Sequence, residues 1–157
     1  RLVEAGVTYV LVNYSRNNSW DTHNNNFKTL KNTLLPPMDQ AASALLIDLE
    51  QRGMLDEVLV LMMGEMGRTP KINKDNGRDH WPQAQSILIA GGGYRHGQVV
   101  GATNSKAEHP IERPIHPLDL NALIYHAVGL RADDTIPDLT GRPIHLLPGG
   151  VVPPELL

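Results

Sequence analysis

Asp21 and His23 stand two residues apart in Trp20-Asp21-Thr22-His23, and His80 closes the later run Gly77-Arg78-Asp79-His80. An Asp-x-His pair in a loop can offer one oxygen and one nitrogen to a zinc-like ion. The same pair can equally be an aspartate that orients a histidine by hydrogen bond. His80 adds a third donor from a separate loop. Three protein ligands with an open fourth position are the pattern of a catalytic metal rather than a structural one. Glu65 stands just after an apolar run and admits three roles: metal ligand, base, or ion-pair partner of Arg68. Arg68 can clamp an oxyanion through two parallel hydrogen bonds, or lie over its loop as cover. Trp20 and Trp81 flank the two motifs and read either as pocket walls or as ordinary packing. His96, His109, His116, His126 and His145 have no role in this site. The chain has no G-x-S-x-G elbow, so a serine hydrolase is unsupported.

Such residues need a scaffold that brings two loops together. Val58–Met63 is continuously apolar, as in a buried strand, and breaks at Gly64 into polar residues. In open α/β sheets, ligands bind beyond the carboxyl ends of strands. Val7–Asn13 has the same form and is rich in β-branched residues and tyrosine; a polar loop, Ser15–Asn26, follows it. Phe27–Leu35 is expected to make a short helix. Pro36 and Pro37 suit the first turn of the next one. Met38, Ala42, Leu45, Leu46 and Leu49 give it an amphipathic stripe, and Gly53 its stop. Strand, helix, strand implies a βαβ unit and a mostly parallel sheet. Ser86–Ala90 is a third expected strand. Gly91-Gly92-Gly93 lacks the G-x-G-x-x-G spacing and is expected to turn a hairpin into a short strand over Gln98–Thr103. Asn104–Pro114 reads as loop and Pro117–Leu130 as a helix. The proline-rich tail, residues 131–157, is expected to run extended over the surface. Parallel neighbouring strands would then set the two loops side by side and bring Asp21, His23 and His80 within reach of one ion.

Composition narrows the field. The chain has 157 residues, 41% of them hydrophobic and 20% charged, which suits one domain with a core. A net charge of −3 provides no basic field for nucleic acid or anionic lipid. Cysteine is absent, which excludes disulfides and thiolate sites. No apolar run approaches the roughly 20 residues of a membrane helix. No signal peptide is visible, and the chain, beginning at Arg1, reads as a piece of a longer protein.

The motifs Trp20-Asp21-Thr22-His23, GEMGRTPKIN at 64–73, GRDHWP at 77–82 and ILIAGGG at 87–93 occur in that order, with DLTGRPIHLLPGG and PPELL closing the chain. Together they resemble a family of uncharacterised, usually exported bacterial proteins known as a domain of unknown function. That family in turn resembles the alkaline phosphatase and sulfatase superfamily. The resemblance implies a three-layer α/β/α sandwich with a mostly parallel sheet, of which residues 1–157 would be the carboxyl-terminal part. It implies a metal-dependent hydrolase of phosphate or sulfate esters, acting on a small-molecule or glycan ester in the periplasm or outside the cell. Asp21, His23 and His80 match one metal site, for zinc, manganese or calcium. Glu65 would serve a second metal and Arg68 the transferred group. The sequence departs from the superfamily at Met66, a poor ligand for a hard metal, and in the short Asp21–His23 spacing. The nucleophile and remaining ligands would lie in an amino-terminal half of the same chain. The alternative is a non-catalytic metal- or ligand-binding module that keeps the fold.

Overall fold

Among the described residues, four antiparallel strand pairs stand where a parallel sheet was expected. The structure, a computed structural model, describes residues 1–14 and 19–157. Its elements are α1 (Asn26–Thr29), a π-helical turn (Leu30–Leu34), α2 (Leu35–Gln51), a 3-10 turn (Leu55–Glu57), β1 (Val60–Met62), β2 (Gly67–Arg68), β3 (His80–Trp81), β4 (Leu88–Ala90), β5 (Ala102–Thr103), β6 (Pro110–Glu112), α3 (Pro117–Ala127), β7 (Thr135–Pro137) and β8 (Pro143–His145). The expectation of a three-layer α/β/α sandwich with a mostly parallel sheet is therefore wrong for the described residues. All four pairs, β1–β4, β2–β3, β5–β6 and β7–β8, are antiparallel and two-stranded.

The physical reason lies in the connections. A parallel neighbour needs a crossover of a dozen or more residues, usually a helix. Residues 63–87 contain no helix, so β4 returns antiparallel to β1, with Leu61 opposite Ile89. The other expected partner, Val7–Asn13, forms no strand. Tyr9, Leu11 and Val12 there are 65%, 79% and 74% exposed. Its β-branched composition reports fit to a pleated surface, and that fit needs a neighbour. The helix after it forms as expected, with Pro36 and Pro37 in the first turn of α2 and Leu49 buried. With no strand before it, α2 completes no βαβ unit.

The core is small. α3 presents Leu120, Leu123 and Ile124 at i, i+3 and i+4. Leu59, Leu61, Ile87 and Ile89, which alternate along the β1 and β4 segments, pack against this cluster. Tyr94 and Leu156 complete it. The accessible surface is 11497 Å², about half as much again as the roughly 7,800 Å² of a compact monomer of this mass. Apolar side chains outside this cluster thus remain in contact with water. The glycine run does not turn a hairpin from β4 to β5. Gly91 (φ 74) packs its Cα where a Cβ would lie 2.1 Å from the Val58 carbonyl oxygen, and β5 pairs forward with β6.

The proline-rich tail lies on the surface only in part. It forms the β7–β8 hairpin, and Leu156 then returns to the core. Asp119 fastens this return: its carboxylate accepts from the N–H of His116 at the start of α3 (2.9 Å) and from the N–H of Val151 (2.9 Å). Those two bonds, His116 first, hold Asp119 below its ordinary value of 3.8. A lowered folded pKa contributes stability that is complete above about pH 4 and is lost as pH falls through the folded value. Asp119→Ala should cost about 1–2 kcal/mol at neutral pH. In urea denaturation the gap from the unmodified chain should close below about pH 4.

Candidate metal centre

The site is built where two loops lie against each other, residues 20–26 and residues 69–80. Backbone hydrogen bonds join them: Arg78 N–H to Thr22 O (3.1 Å), Asn25 N–H to Asp75 O (3.0 Å) and Asn26 N–H to Asn76 O (3.0 Å). Asn25 (φ 46) and Asn76 (φ 54) both adopt the left-handed conformation that asparagine tolerates. Asn73 spans the contact. Its Nδ2 donates to the His23 carbonyl (2.9 Å) and to Asp79 Oδ1 (3.1 Å), while its Oδ1 accepts from the N–H groups of Asp75 and Gly77. Thr22 and Asn26 are buried and hydrogen-bonded to each other beneath the loop. The approach is close enough that a Cβ at Gly77 would lie 1.9 Å from the His23 carbonyl oxygen.

The second loop is stiffened by the β2–β3 pair. Arg68 stands directly opposite His80, which puts both side chains on one face. Both reach the same carboxylate. Arg68 Nη2 donates to Asp21 Oδ1 at 2.5 Å, and His80 Nε2 lies 2.9 Å from that oxygen. His23 Nε2 is 3.1 Å away on a third side. The hydrogen bonds from His80 and then Arg68 drive Asp21 down to about 2, so it is a carboxylate across the physiological range. His23 Nδ1 contacts Asp79 Oδ1 at 2.7 Å. That bond, and next the one from Asn73, holds Asp79 below its ordinary value.

Asp21, His23 and His80 therefore converge as expected, although not on a parallel sheet. One ligand atom from each lies within 4.8 Å of the others. In a tetrahedral site with bonds of about 2.0–2.1 Å, neighbouring donors sit about 3.3 Å apart. The 3.1 Å and 2.9 Å separations from Asp21 to the two imidazoles are within a few tenths of that value. The donor set of one carboxylate and two imidazoles suits a borderline divalent metal. All three residues are partly or largely open to solvent, so an incoming ion has access.

Glu65 is not part of this group. It is exposed, and among the described residues it makes no ion pair or side-chain hydrogen bond, with Arg68 or any other residue. Arg68 has three of its N–H groups committed: to Asp21, to the Trp20 carbonyl (3.1 Å) and to the Arg78 carbonyl (3.1 Å). It works as a strut between the loops. Thr69 Oγ1 donates to the Lys71 carbonyl and accepts from the Asp79 N–H. Ser15 falls outside the described residues. The indole N–H groups of Trp20 and Trp81 bond to the carbonyls of Tyr14 and Glu108, which is packing. Sequence reasoning missed the parts played by Asp79 and Asn73. The one available signal was the adjacency of Asp79 to His80.

This geometry defines an Asp/His/His cluster able to hold a metal ion. The chain belongs to the family described as "Protein of unknown function (DUF1501)", whose model matches residues 1–155. No curated protein and no solved structure matches it.

Two outcomes are expected. The Asp21 carboxyl carbon, followed by NMR, should titrate near pH 2. A midpoint near the ordinary 3.8 would mean that the His80 and Arg68 bonds do not form in solution. The stability those bonds give should be present above about pH 4 and lost on acidification toward 2. Gly77→Ala should separate the loops, because its Cβ meets backbone rather than a yielding side chain. The expected readout is large amide shift changes at residues 22–26 with α3 unaffected.

Proposed function

We propose that Asp21, His23 and His80 bind one divalent metal ion, and that the chain is the metal-holding part of a hydrolase of phosphate or sulfate esters. The observation that carries the metal reading is the position of His23 between two carboxylates. Its Nδ1 is 2.7 Å from Asp79 and its Nε2 3.1 Å from Asp21. One N–H proton cannot serve both contacts, so a second cation, a proton or a metal ion, is needed there. A bound divalent ion supplies a Lewis acid for an ester oxygen, or lowers the pKa of a water.

The chain's own residues would act as follows. Asp21 gives a permanently ionised oxygen. His23 gives Nε2, and His80 gives its own Nε2 as the tautomer that carries its proton on Nδ1. Two imidazoles favour zinc over manganese, and both over calcium, which prefers six to eight oxygens. The substrate class, a small-molecule or glycan ester, and a periplasmic or extracellular location rest on the family resemblance. So does the assignment of the nucleophile to an amino-terminal half of the same chain.

Three features favour a second reading, a metal-binding module without catalysis. The guanidinium of Arg68 is largely consumed by protein acceptors. Glu65 meets no partner among the described residues. Met66 is a soft side chain next to it.

Calorimetric titration with zinc, manganese and calcium tests the metal. Zinc should bind at one ion per chain, and His80→Ala should weaken it at least tenfold. Hydrolysis of chromogenic phosphate and sulfate esters by the full-length protein then separates the readings. Turnover lost in His80→Ala supports the hydrolase, zinc binding without turnover supports the module, and no binding overturns both.

A further inference from the structure

We infer that Asp79 is a positioning residue that holds His23 as its Nδ1–H tautomer, so that Nε2 is the nitrogen presented to the ion. The inference rests on the metal reading above and adds a residue that touches neither ion nor substrate. Four contacts argue for it. Asp79 Oδ1 is the nearer of the two carboxylate oxygens to His23, 2.7 Å against 3.1 Å. Two carboxylate or imidazole lone pairs are tolerated less at the shorter distance, so the proton belongs on Nδ1. Asp21 Oδ1, meanwhile, already accepts from Arg68 and from His80 and does not need a proton from His23.

Asp79 is itself fixed. Its N–H donates to Thr69 Oγ1 (3.0 Å), and its Oδ1 accepts from Asn73 Nδ2 (3.1 Å). Asn73 also holds the His23 carbonyl (2.9 Å). One side chain thus sets both the backbone of the ligand and the carboxylate that orients its ring. A metal-binding imidazole usually gives its other N–H to such an acceptor, which fixes the ring and raises its basicity. Free imidazole side chains favour the opposite tautomer, so Nδ1–H at His23 would be an imposed state that can be measured without metal.

Long-range ¹H–¹⁵N spectra of the metal-free chain at about pH 9, where imidazoles are neutral, give the tautomer directly. His23 should be Nδ1–H in the unmodified protein and revert to Nε2–H in Asp79→Ala. Zinc affinity should fall about ten- to a hundredfold in Asp79→Ala. Asp79→Asn retains an acceptor oxygen, so it should keep the tautomer and lose less affinity. Circular dichroism on both variants checks that the fold is retained. If Asp79→Ala does not fold, the Asn variant and the unmodified protein's own tautomer still decide. His23 as Nε2–H in the unmodified protein, or zinc affinity unchanged in the folded Ala variant, overturns the role of Asp79 alone. Absence of zinc binding by the unmodified protein overturns the metal centre and the role of Asp79 with it.

Discussion

The contact between residues 22–26 and residues 73–78 is the constraint on which the site depends. Three backbone hydrogen bonds and the Asn73 amide join two segments far apart in the chain. A side chain at position 77 would keep them apart. Once the loops are joined, His23 has little choice of surroundings, because Asp79 is brought to one ring nitrogen and Asp21 lies beside the other. Loop-borne sites are held by such networks rather than by the ladders of regular structure. The buried Thr22–Asn26 pair shows the same economy, satisfying two polar side chains within the loop that carries Asp21 and His23.

The second half of the cluster comes from nesting. β2 and β3 lie within the connection between β1 and β4, and both pairs are antiparallel. The core that α3 makes against β1 and β4 therefore anchors both ends of the excursion that carries Arg68 and His80. Arg68 faces His80 across two residues of ladder, and Asp21 accepts from both. The resulting group has two carboxylates, two imidazoles and one guanidinium. Its oxygen acceptors outnumber its fixed positive charges, which suits a site that takes up a cation.

The fold and the site differ in how far periodicity could reveal them. The helices α2 and α3 follow from local spacing, although Leu45, read as part of the α2 stripe, is 48% exposed. β1 and β4 were legible as apolar runs, but their relative direction was not. Direction depends on whether the intervening chain can form a crossover helix, and residues 63–87 do not. Val7–Asn13 failed for the complementary reason. Its composition suits a strand, yet a strand exists only against a partner, and none lies beside it among the described residues.

What the sequence determined by itself was the chemistry on offer: a carboxylate and two imidazoles on loops, no thiol, no basic field, and family membership over residues 1–155. The tertiary structure decided which groups meet. It sent Arg68 to Asp21 rather than to Glu65, left Glu65 in solvent, and set Asp79 against His23. These partners are 47 and 56 residues apart. Contacts at that range are fixed by how two loops dock and by the space left at one glycine, and neither quantity has a period that a sequence can display.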